Sequence, residues 1–340
     1  MNLGETIPTV THPPVAPRAF KPAWWCRNPH LQTLWPFLLR RRPVVPTRRE
    51  RIELPDGDFV DLDWAVHDGR GPLVLVLHGL EGSSESSYAL ALLHAAAARS
   101  WRGVVLNFRG CSGEPNRRVR SYHSGETDDI AYIVTLLKHR EPHTPIAAVG
   151  YSLGGNALLK WLGEARESAP LAAAVAVSVP FMLADCAARM ERGFSRVYQW
   201  DLVRRLRRSI ARKRRQVALP LAADKLAGLR TFREFDEHVT APLHGFAGAD
   251  DYYARSSSRQ YLHHITVPTL LVHSRDDPFM TAAAIPTAEE LSPTVRLELC
   301  NHGGHVGFVT GDLPWRPRYW LDQRIPEFLS TQLPDRDRST

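Results

Sequence analysis

Short apolar runs alternate with longer segments of helical spacing through most of this chain. Apolar runs occupy 73–77, 104–106, 145–150, 174–179, 269–273 and 295–299, and helical patterns cover 88–99, 127–139, 156–162, 282–291 and 315–329. Continuous apolar runs that alternate with helices are typical of an α/β protein with a buried, mostly parallel sheet flanked by helices. Before these elements, 51–54 and 59–64 alternate around a Pro-Asp-Gly-Asp turn, which predicts an antiparallel hairpin.

The alternation stops between residues 182 and 264, where arginine-rich and aromatic segments replace the apolar runs. A long excursion of this kind, placed before the strands resume, is typical of a helical cap over a functional edge of the sheet. We therefore expect five parts, namely a loosely ordered N-terminal arm (1–20), a first core part (21–181), the cap (182–264), a second core part (265–332) and a tail (333–340).

The segment Gly-Tyr-Ser-Leu-Gly at 150–154 lies between a predicted strand and a predicted helix. In that setting the pattern Gly-x-Ser-x-Gly predicts a nucleophile elbow, because glycines on both sides of the serine avoid collisions in a very tight turn. Ser152 is therefore the candidate nucleophile, beside the positive end of a helix dipole.

A serine nucleophile needs a base and an orienting acid further along the chain. The strand at 269–273 ends in a turn with Asp276 and Asp277, where the acid of such a site belongs. We favour Asp277, directly before a proline, and Asp276 stays open. A later glycine-rich turn carries His302 and His305, and we favour His305 as the base, with His302 as the alternative.

Two backbone N–H groups must also face the oxygen that becomes negative during attack by a serine. The strand at 73–77 runs into a His-Gly turn, which lets the amide of Leu80 face the nucleophile. The amide of Leu153, directly after Ser152, is the second candidate donor. We expect the neighbouring Glu81 to be a solvated loop carboxylate.

Two other segments are dense in polar and aromatic residues. Residues 24–36 contain three tryptophans and a histidine, and such aromatic density predicts docking onto a core, with His30 as a buried, hydrogen-bonded imidazole. Residues 107–129 carry Arg109 after a strand, and we expect Arg109 to brace loops rather than to bind substrate.

Composition and cysteine usage narrow the class of protein. Of the 340 residues, 44% are hydrophobic and 23% charged, which is ordinary for a globular enzyme. The four cysteines lack the spacing of a disulfide framework or a zinc site, so a reducing compartment fits and neither metal nor cofactor is expected. The chain shows no signal peptide and no run of eighteen apolar residues, so we expect a cytoplasmic protein.

The formal net charge of +7 is concentrated in an arginine-rich run at 204–215. Its ordinary interpretation is a solvated helix face. The alternative is a patch that attracts anionic lipid headgroups and places the protein peripherally at a membrane surface. Nucleic acid is not an expected partner, because no stacking platform accompanies the charge. The oligomeric state stays open.

Taken together, six motifs make the chain resemble the YheT-type family of α/β-hydrolases between about Trp24 and Leu329. They are His-Leu-Gln-Thr-Leu-Trp-Pro (30–36), His-Gly-Leu-Glu-Gly (78–82), Asn-Phe-Arg-Gly-Cys-Ser-Gly (107–113), Tyr-His-Ser-Gly (122–125), Gly-Tyr-Ser-Leu-Gly-Gly-Asn (150–156) and Gly-Gly-His-Val-Gly-Phe (303–308). The resemblance implies a triad on Ser152, Asp277 and His305. It also implies a carboxylesterase or lipase acting on short- to medium-chain esters, acylglycerols or phospholipids.

The sequence thus predicts a serine hydrolase that cleaves small or lipid-like carboxylic esters through an acyl-enzyme. Acyl transfer to an alcohol uses the same residues and is the main alternative. An amide-cleaving peptidase and a non-catalytic binding protein of the same fold are the other two. Acyl length and head group depend on how 182–264 fold over Ser152, which no local pattern determines.

Overall fold

The structure is a computed structural model that describes residues 19–67 and 69–334. Most of the predicted N-terminal arm (1–18) and of the predicted tail (335–340) lies outside these residues. Within the described ranges, no helix is both long enough and apolar enough to cross a membrane.

A twisted sheet of eight strands forms the centre of the molecule, in the order β1-β2-β4-β3-β5-β6-β7-β8. The hairpin β1–β2 is antiparallel, β2 pairs antiparallel with β4, and every later pairing in this sheet is parallel. The strands are β1 Thr47–Glu53, β2 Phe59–Ala65, β3 Leu73–Leu77, β4 Arg102–Asn107, β5 Ile146–Tyr151, β6 Ala173–Val177, β7 Thr269–Ser274 and β8 Val295–Cys300, with a separate small ribbon of β9 Val309–Thr310 and β10 Arg318–Tyr319.

Helices cover both faces of the sheet and fill the long excursion between β6 and β7. They are α1 Pro29–Leu39, α2 Ser87–Ala97, α3 Asp128–Arg140, α4 Leu153–Ala165, α5 Leu183–Met190, α6 Ser195–Lys213, α7 Ala223–Gly228, α8 Phe232–Phe235, α9 Ala241–His244, α10 Ala249–Ser256 and α11 Leu321–Gln332. Short 3-10 turns lie at Arg166–Ser168, Ser258–His264, Ala282–Ala284 and Ala288–Glu290, and a π-helical turn at Asp236–Thr240.

Two of the predicted helices differ from the structure. The pattern at 282–291 forms two separate 3-10 turns, each of them three residues long, because Pro286 lacks an N–H and ends the first turn. The last helix begins at Leu321 rather than 315, since Arg318 and Tyr319 pair with the segment after the histidine-bearing turn.

The core is divided by the sheet into two apolar layers. Alternate residues of β3 point to opposite sides, so Leu75 packs in the layer of α3 and α4, and Val76 in the layer of α2 and α11. All residues of β3, β5 and β6 are buried, as strands covered by helices on both faces require.

The helices between β6 and β7 have small apolar clusters of their own and are tied to the core by Lys213. At the end of α6, the Lys213 ammonium lies 2.6 to 3.0 Å from four oxygens, those of the Asn116 and Ser121 side chains and of the Val119 and Arg120 carbonyls. The prediction of a fully solvated arginine-rich face is therefore wrong at this position, where the side chain is buried.

Arg109 is a buried cation that joins three loops. Its guanidinium forms a bidentate pair with Asp129 at 2.7 Å and contacts Asp56 at 2.6 Å and Asp58 at 3.1 Å. Asp56 and Asp58 belong to the β1–β2 turn, and Asp129 to the start of α3. Arg109 therefore connects the hairpin and α3 with the end of β4. The expected bracing role agrees with these contacts.

Replacing Arg109 with methionine leaves buried carboxylates without their counter-ion, so we expect a loss of about 3–5 kcal/mol in the free energy of unfolding. Urea denaturation measures it. The matched control is Arg233→Met, which removes an exposed pair with Asp250 and should leave the denaturation midpoint unchanged. Equal midpoint shifts in the two variants would contradict the bracing role.

Candidate active site

The turn at Ser152 places one side chain at the carboxyl edge of the sheet. Ser152 has φ 51° and ψ −119°, a conformation that non-glycine residues rarely adopt, between β5 and α4. The backbone is crowded there, because a Cβ on Gly150 would lie 2.6 Å from the Gly154 carbonyl oxygen. A Cβ on Gly154 would lie 2.5 Å from the carbonyl oxygens of Leu77 and His78. Only glycine allows this close approach of β5, α4 and β3.

Three of the predicted site residues come together at this edge. The Nε2 atom of His305 lies 2.9 Å from the Ser152 Oγ, and its Nδ1 atom lies 2.8 Å from the Asp277 Oδ2. The Asp277 side chain is buried, and its other oxygen accepts the Phe279 backbone N–H at 2.9 Å. The Phe279 ring stacks on the imidazole with 4.0 Å between centroids, which restricts ring rotation.

The sequence left open whether Asp276 or Asp277 is the orienting acid, and in the structure these two side chains have different contacts. Asp276 accepts the Gly304 backbone N–H at 3.0 Å and contacts the His302 Nδ1 at 3.3 Å. Neither Asp276 nor His302 forms a hydrogen bond with Ser152 or His305 among the described residues. Asp276 thus holds the glycine-rich turn, while Asp277 contacts the imidazole.

Sequence reasoning missed how α1 supports the histidine. The Thr33 hydroxyl accepts the backbone N–H of His305 at 2.9 Å. Buried Gln32 accepts the Val309 N–H at 2.6 Å and donates to the carbonyls of Cys26 and Val309. Both residues belong to the motif at 30–36, which was the available signal. His30, expected to be a buried, hydrogen-bonded imidazole, is half-buried, and its Nδ1 lies 3.1 Å from the Tyr198 hydroxyl.

The two predicted oxyanion donors border the same cavity as the serine. Leu153 is the first residue of α4, where a backbone N–H has no partner within the helix. On either side of Leu80, the backbone N–H groups of Gly79 and Glu81 donate to the hydroxyls of Tyr88 and Tyr122, each at 2.8 Å. In the described part of the chain, the Leu80 N–H has no such partner.

His78 organises the turn that precedes Leu80. Its Nε2 accepts the Phe108 N–H at 3.1 Å, and its Nδ1 lies 2.8 Å from the Gly79 carbonyl oxygen. Burial lowers the pKa of His78 to about 4, so the imidazole is neutral at physiological pH and donates from Nδ1. A neutral imidazole in this place orients the turn without adding charge beside the serine.

A cavity with about 820 Å³ of empty space, partly open to solvent, lies over the serine. Loops of the core and helices from the excursion between β6 and β7 both line it. Apolar and aromatic side chains dominate the lining, which is Leu80, Tyr122, His123, Ser124, Ser152, Leu153, Pro180, Leu183, Cys186, Ala187, Met190, Leu202, Leu206, Phe232, Phe235, Asp236, Thr240, Tyr252, Tyr253, Phe279, Met280 and His305.

Asp236 brings a carboxylate into this apolar lining, and no pattern in the sequence pointed to it. Its oxygens accept hydrogen bonds from the Thr240 hydroxyl at 2.6 Å and the Tyr253 hydroxyl at 2.8 Å, within the π-helical turn and α10. Burial raises the pKa of Asp236 to about 6, and these two hydrogen bonds partly offset that effect.

Glu81 differs from the expected solvated carboxylate. One of its oxygens accepts a hydrogen bond from Tyr122 at 3.0 Å, and it borders a second cavity of about 500 Å³ together with Arg212. Burial raises the pKa of Glu81, while the Tyr122 hydrogen bond and the charges of Arg212 and Arg205 lower it.

Across the described residues, no group of three or more His, Cys, Asp or Glu side chains could hold a metal ion.

An eight-stranded, mostly parallel sheet with a serine on the turn after its central strand defines an α/β hydrolase. The chain belongs to the alpha/beta hydrolase fold family, whose sequence model matches residues 72–312. The predicted fold class and family are therefore confirmed.

Similar proteins place the chain more closely within this family. "Putative esterase YheT" of Escherichia coli (strain K12) is 49% identical over 311 residues, covering 90% of this chain and 91% of that protein. "Phospholipase ABHD3" of Bos taurus is 32% identical over 333 residues, covering 95% and 80%. The esterase Pf2001 of Pyrococcus furiosus shares the fold, with a TM-score of 0.55, 16% identity and coverage of 86% and 97%. The chain is a hydrolase of the esterase and lipase type.

The raised pKa of Asp236 has a consequence for stability. An acid that binds its proton more tightly in the folded state makes stability fall as pH rises, here between about 4 and about 6. We expect Asp236→Asn to remove this part of the pH dependence, so that the variant gains stability relative to the wild type above pH 6. Urea denaturation at a series of pH values tests this, and parallel profiles for the two proteins would contradict it.

Proposed function

We propose that this protein is a serine esterase that cleaves carboxylic esters with short- to medium-chain or lipid-like acyl groups. Ser152 is the nucleophile, His305 the general base and acid, and Asp277 the residue that orients His305. The observation that carries the proposal is the pair of contacts through His305, 2.9 Å to the Ser152 Oγ and 2.8 Å to Asp277.

The reaction proceeds in two halves. In the first, Ser152 attacks the ester carbonyl carbon while His305 takes the hydroxyl proton, and the imidazolium then donates that proton to the leaving alcohol oxygen. The acyl group stays on Ser152 as an ester. In the second half, His305 takes a proton from water as the water attacks the acyl carbon, and the acid leaves as Ser152 regains its proton.

The amides of Leu80 and Leu153 stabilise the negative oxygen of each tetrahedral intermediate. Leu153 at the start of α4 and Leu80 after the His78-Gly79 turn both border the cavity beside Ser152, which supports this role. One such donor contributes on the order of 3 kcal/mol to lowering the barrier. Because both donors are backbone groups, side-chain substitution does not remove them.

The composition of the cavity supports a largely apolar acyl group. Its lining includes leucine, methionine and phenylalanine side chains on both the core and the predicted cap, such as Met190, Leu202 and Phe279. The cavity is only partly open to solvent, so its lining limits the length of the acyl chain that it can enclose. We therefore expect an optimum at an intermediate chain length.

Ser152→Ala should lower kcat for p-nitrophenyl esters by about 10⁶-fold, because no other group replaces the nucleophile. The measurement is hydrolysis of a series from acetate to palmitate, with both proteins at equal folded concentration. Ethanol in the same assay distinguishes hydrolysis from acyl transfer, since transfer forms the ethyl ester. Equal turnover by the wild type and Ser152→Ala would leave a binding role for the same fold.

Asp277→Asn should lower kcat by about 10⁴-fold, because the amide disfavours the imidazole tautomer that serves as base. Asp276→Asn is the matched control, since this neighbour contacts Gly304 and His302 but not His305. It should keep most of the activity. A larger loss in Asp276→Asn than in Asp277→Asn would move the acid to Asp276.

A further inference from the structure

Exposed apolar side chains are concentrated on two neighbouring helices. More than half of the large apolar side chains that are exposed in the described part of the chain lie on α1 and on or just before α6. They are Leu31, Phe37, Leu38, Leu39, Phe194, Val197 and Trp200. We call this set the α1–α6 face. Soluble monomers rarely expose so many large apolar groups together, and such patches mark interaction sites.

Contacts between the helices show that this surface is continuous. The His30 ring lies 4.6 Å from the Phe194 ring, measured between centroids, at one end. At the other end, the Arg205 guanidinium lies 5.3 Å from the centre of the Phe37 ring. Since residue 30 lies near residue 194 and residue 37 near residue 205, the two helices run side by side in the same direction.

Cations surround the α1–α6 face. No acidic residue occurs between Lys21 and Arg49, and the exposed Arg41 and Arg42 lie just beyond the C-cap of α1. Along α6, the exposed positions change from Val197 and Trp200 to arginines, with Arg204 over the Trp200 ring at 4.7 Å.

The acids that contact these cations are paired with arginines, and at the end of α1 Asp322 contacts Arg40 at 2.6 Å. Asp201 is the only acidic residue of α6, and it is paired with Arg204 and Arg205 at 3.2 and 2.7 Å. The exposed Arg196 and Arg208 remain on the same helix in excess of this one carboxylate. The exposed charge along α6 is therefore mostly positive.

The face adjoins the candidate active site through a row of rings. Tyr198 on α6 lies 5.8 Å from the His30 ring and 5.0 Å from the Phe279 ring. Phe279 in turn stacks on His305. Two rings, Tyr198 and Phe279, therefore connect the α1–α6 face with the imidazole of His305.

We propose that the α1–α6 face docks onto the surface of a lipid bilayer that contains anionic headgroups. Trp200, Phe194 and the α1 leucines insert at the boundary between headgroups and acyl chains, and the surrounding arginines contact lipid phosphates. Helices with one aromatic and aliphatic face and arginines beside it lie in the membrane interface in this way. The proposal rests on the proposed function in one respect, since it makes lipid esters the substrates presented to Ser152.

Charge distinguishes this occupant from a second copy of the chain. A two-fold contact would place the same surface of both molecules together. It would then bring two surfaces of the same positive charge together, which is unfavourable. A negatively charged bilayer surface instead complements them.

The test is co-sedimentation of the full chain with vesicles of phosphatidylcholine alone and with added phosphatidylglycerol. We expect binding to the anionic vesicles that weakens as sodium chloride is raised, because salt screens the arginines. Trp200→Glu should lower the partition coefficient at least about tenfold, since it removes apolar burial and adds a repelled charge. Arg208→Gln should lower it about fivefold on anionic vesicles, the effect of one lost cation.

Val66→Glu is the matched control, because Val66 is 62% exposed, similar to Trp200 at 58%, and is not part of the face. Hydrolysis of a water-soluble p-nitrophenyl ester is measured on every variant. Trp200 does not line the cavity over Ser152, so this activity should stay at the wild-type level. If the wild type itself does not hydrolyse the water-soluble ester, this result counts against the proposed function and not against the docking surface.

Three results would overturn the proposal. The first is a wild type that hydrolyses soluble esters and does not sediment with anionic vesicles. The second is an equal loss of vesicle binding in Trp200→Glu and Val66→Glu. The third is a dimer in light scattering that Trp200→Glu converts into a monomer, which would assign the face to a second copy of the chain.

Discussion

The crowded backbone around Ser152 is the constraint on which the rest of the site depends. Ser152 keeps a positive φ because β5, α4 and the end of β3 meet at van der Waals distance, which the two flanking glycines permit. Strain of this kind persists only where the surrounding structure enforces it. The fully buried central strands supply that enforcement, so the apolar sequence of the sheet and the exposed serine are parts of one arrangement.

Elements whose signal is local could be predicted from the sequence. The buried strands form continuous apolar runs, and Ser152 stands in a five-residue pattern that needs no distant information. The order of serine, aspartate and histidine along the chain then led to Asp277 and His305 among few alternatives. Their meeting within hydrogen-bond distance at one edge follows from the rule that the carboxyl ends of parallel strands share an edge.

Features that depend on distant contacts could not be predicted. Asp236 borders the cavity only because the predicted cap folds back over β5, and its partners Thr240 and Tyr253 belong to the same long excursion. Asp276 and Asp277 are adjacent in the turn after β7, so the sequence favoured Asp277 without excluding Asp276, and the contacts of each side chain distinguish them. The helix predicted at 282–291 is an error of another kind, because Pro286, which interrupts it, is visible in the sequence.

Gln32 and Thr33 lie well before residue 72, where the match to the family model begins, yet they hold the turn that carries His305. The segment that matches the family model therefore does not contain all the residues that hold the His305 turn. A fragment that starts at the first matched strand would retain all three residues of the proposed triad and would lack the bonds that aim the imidazole.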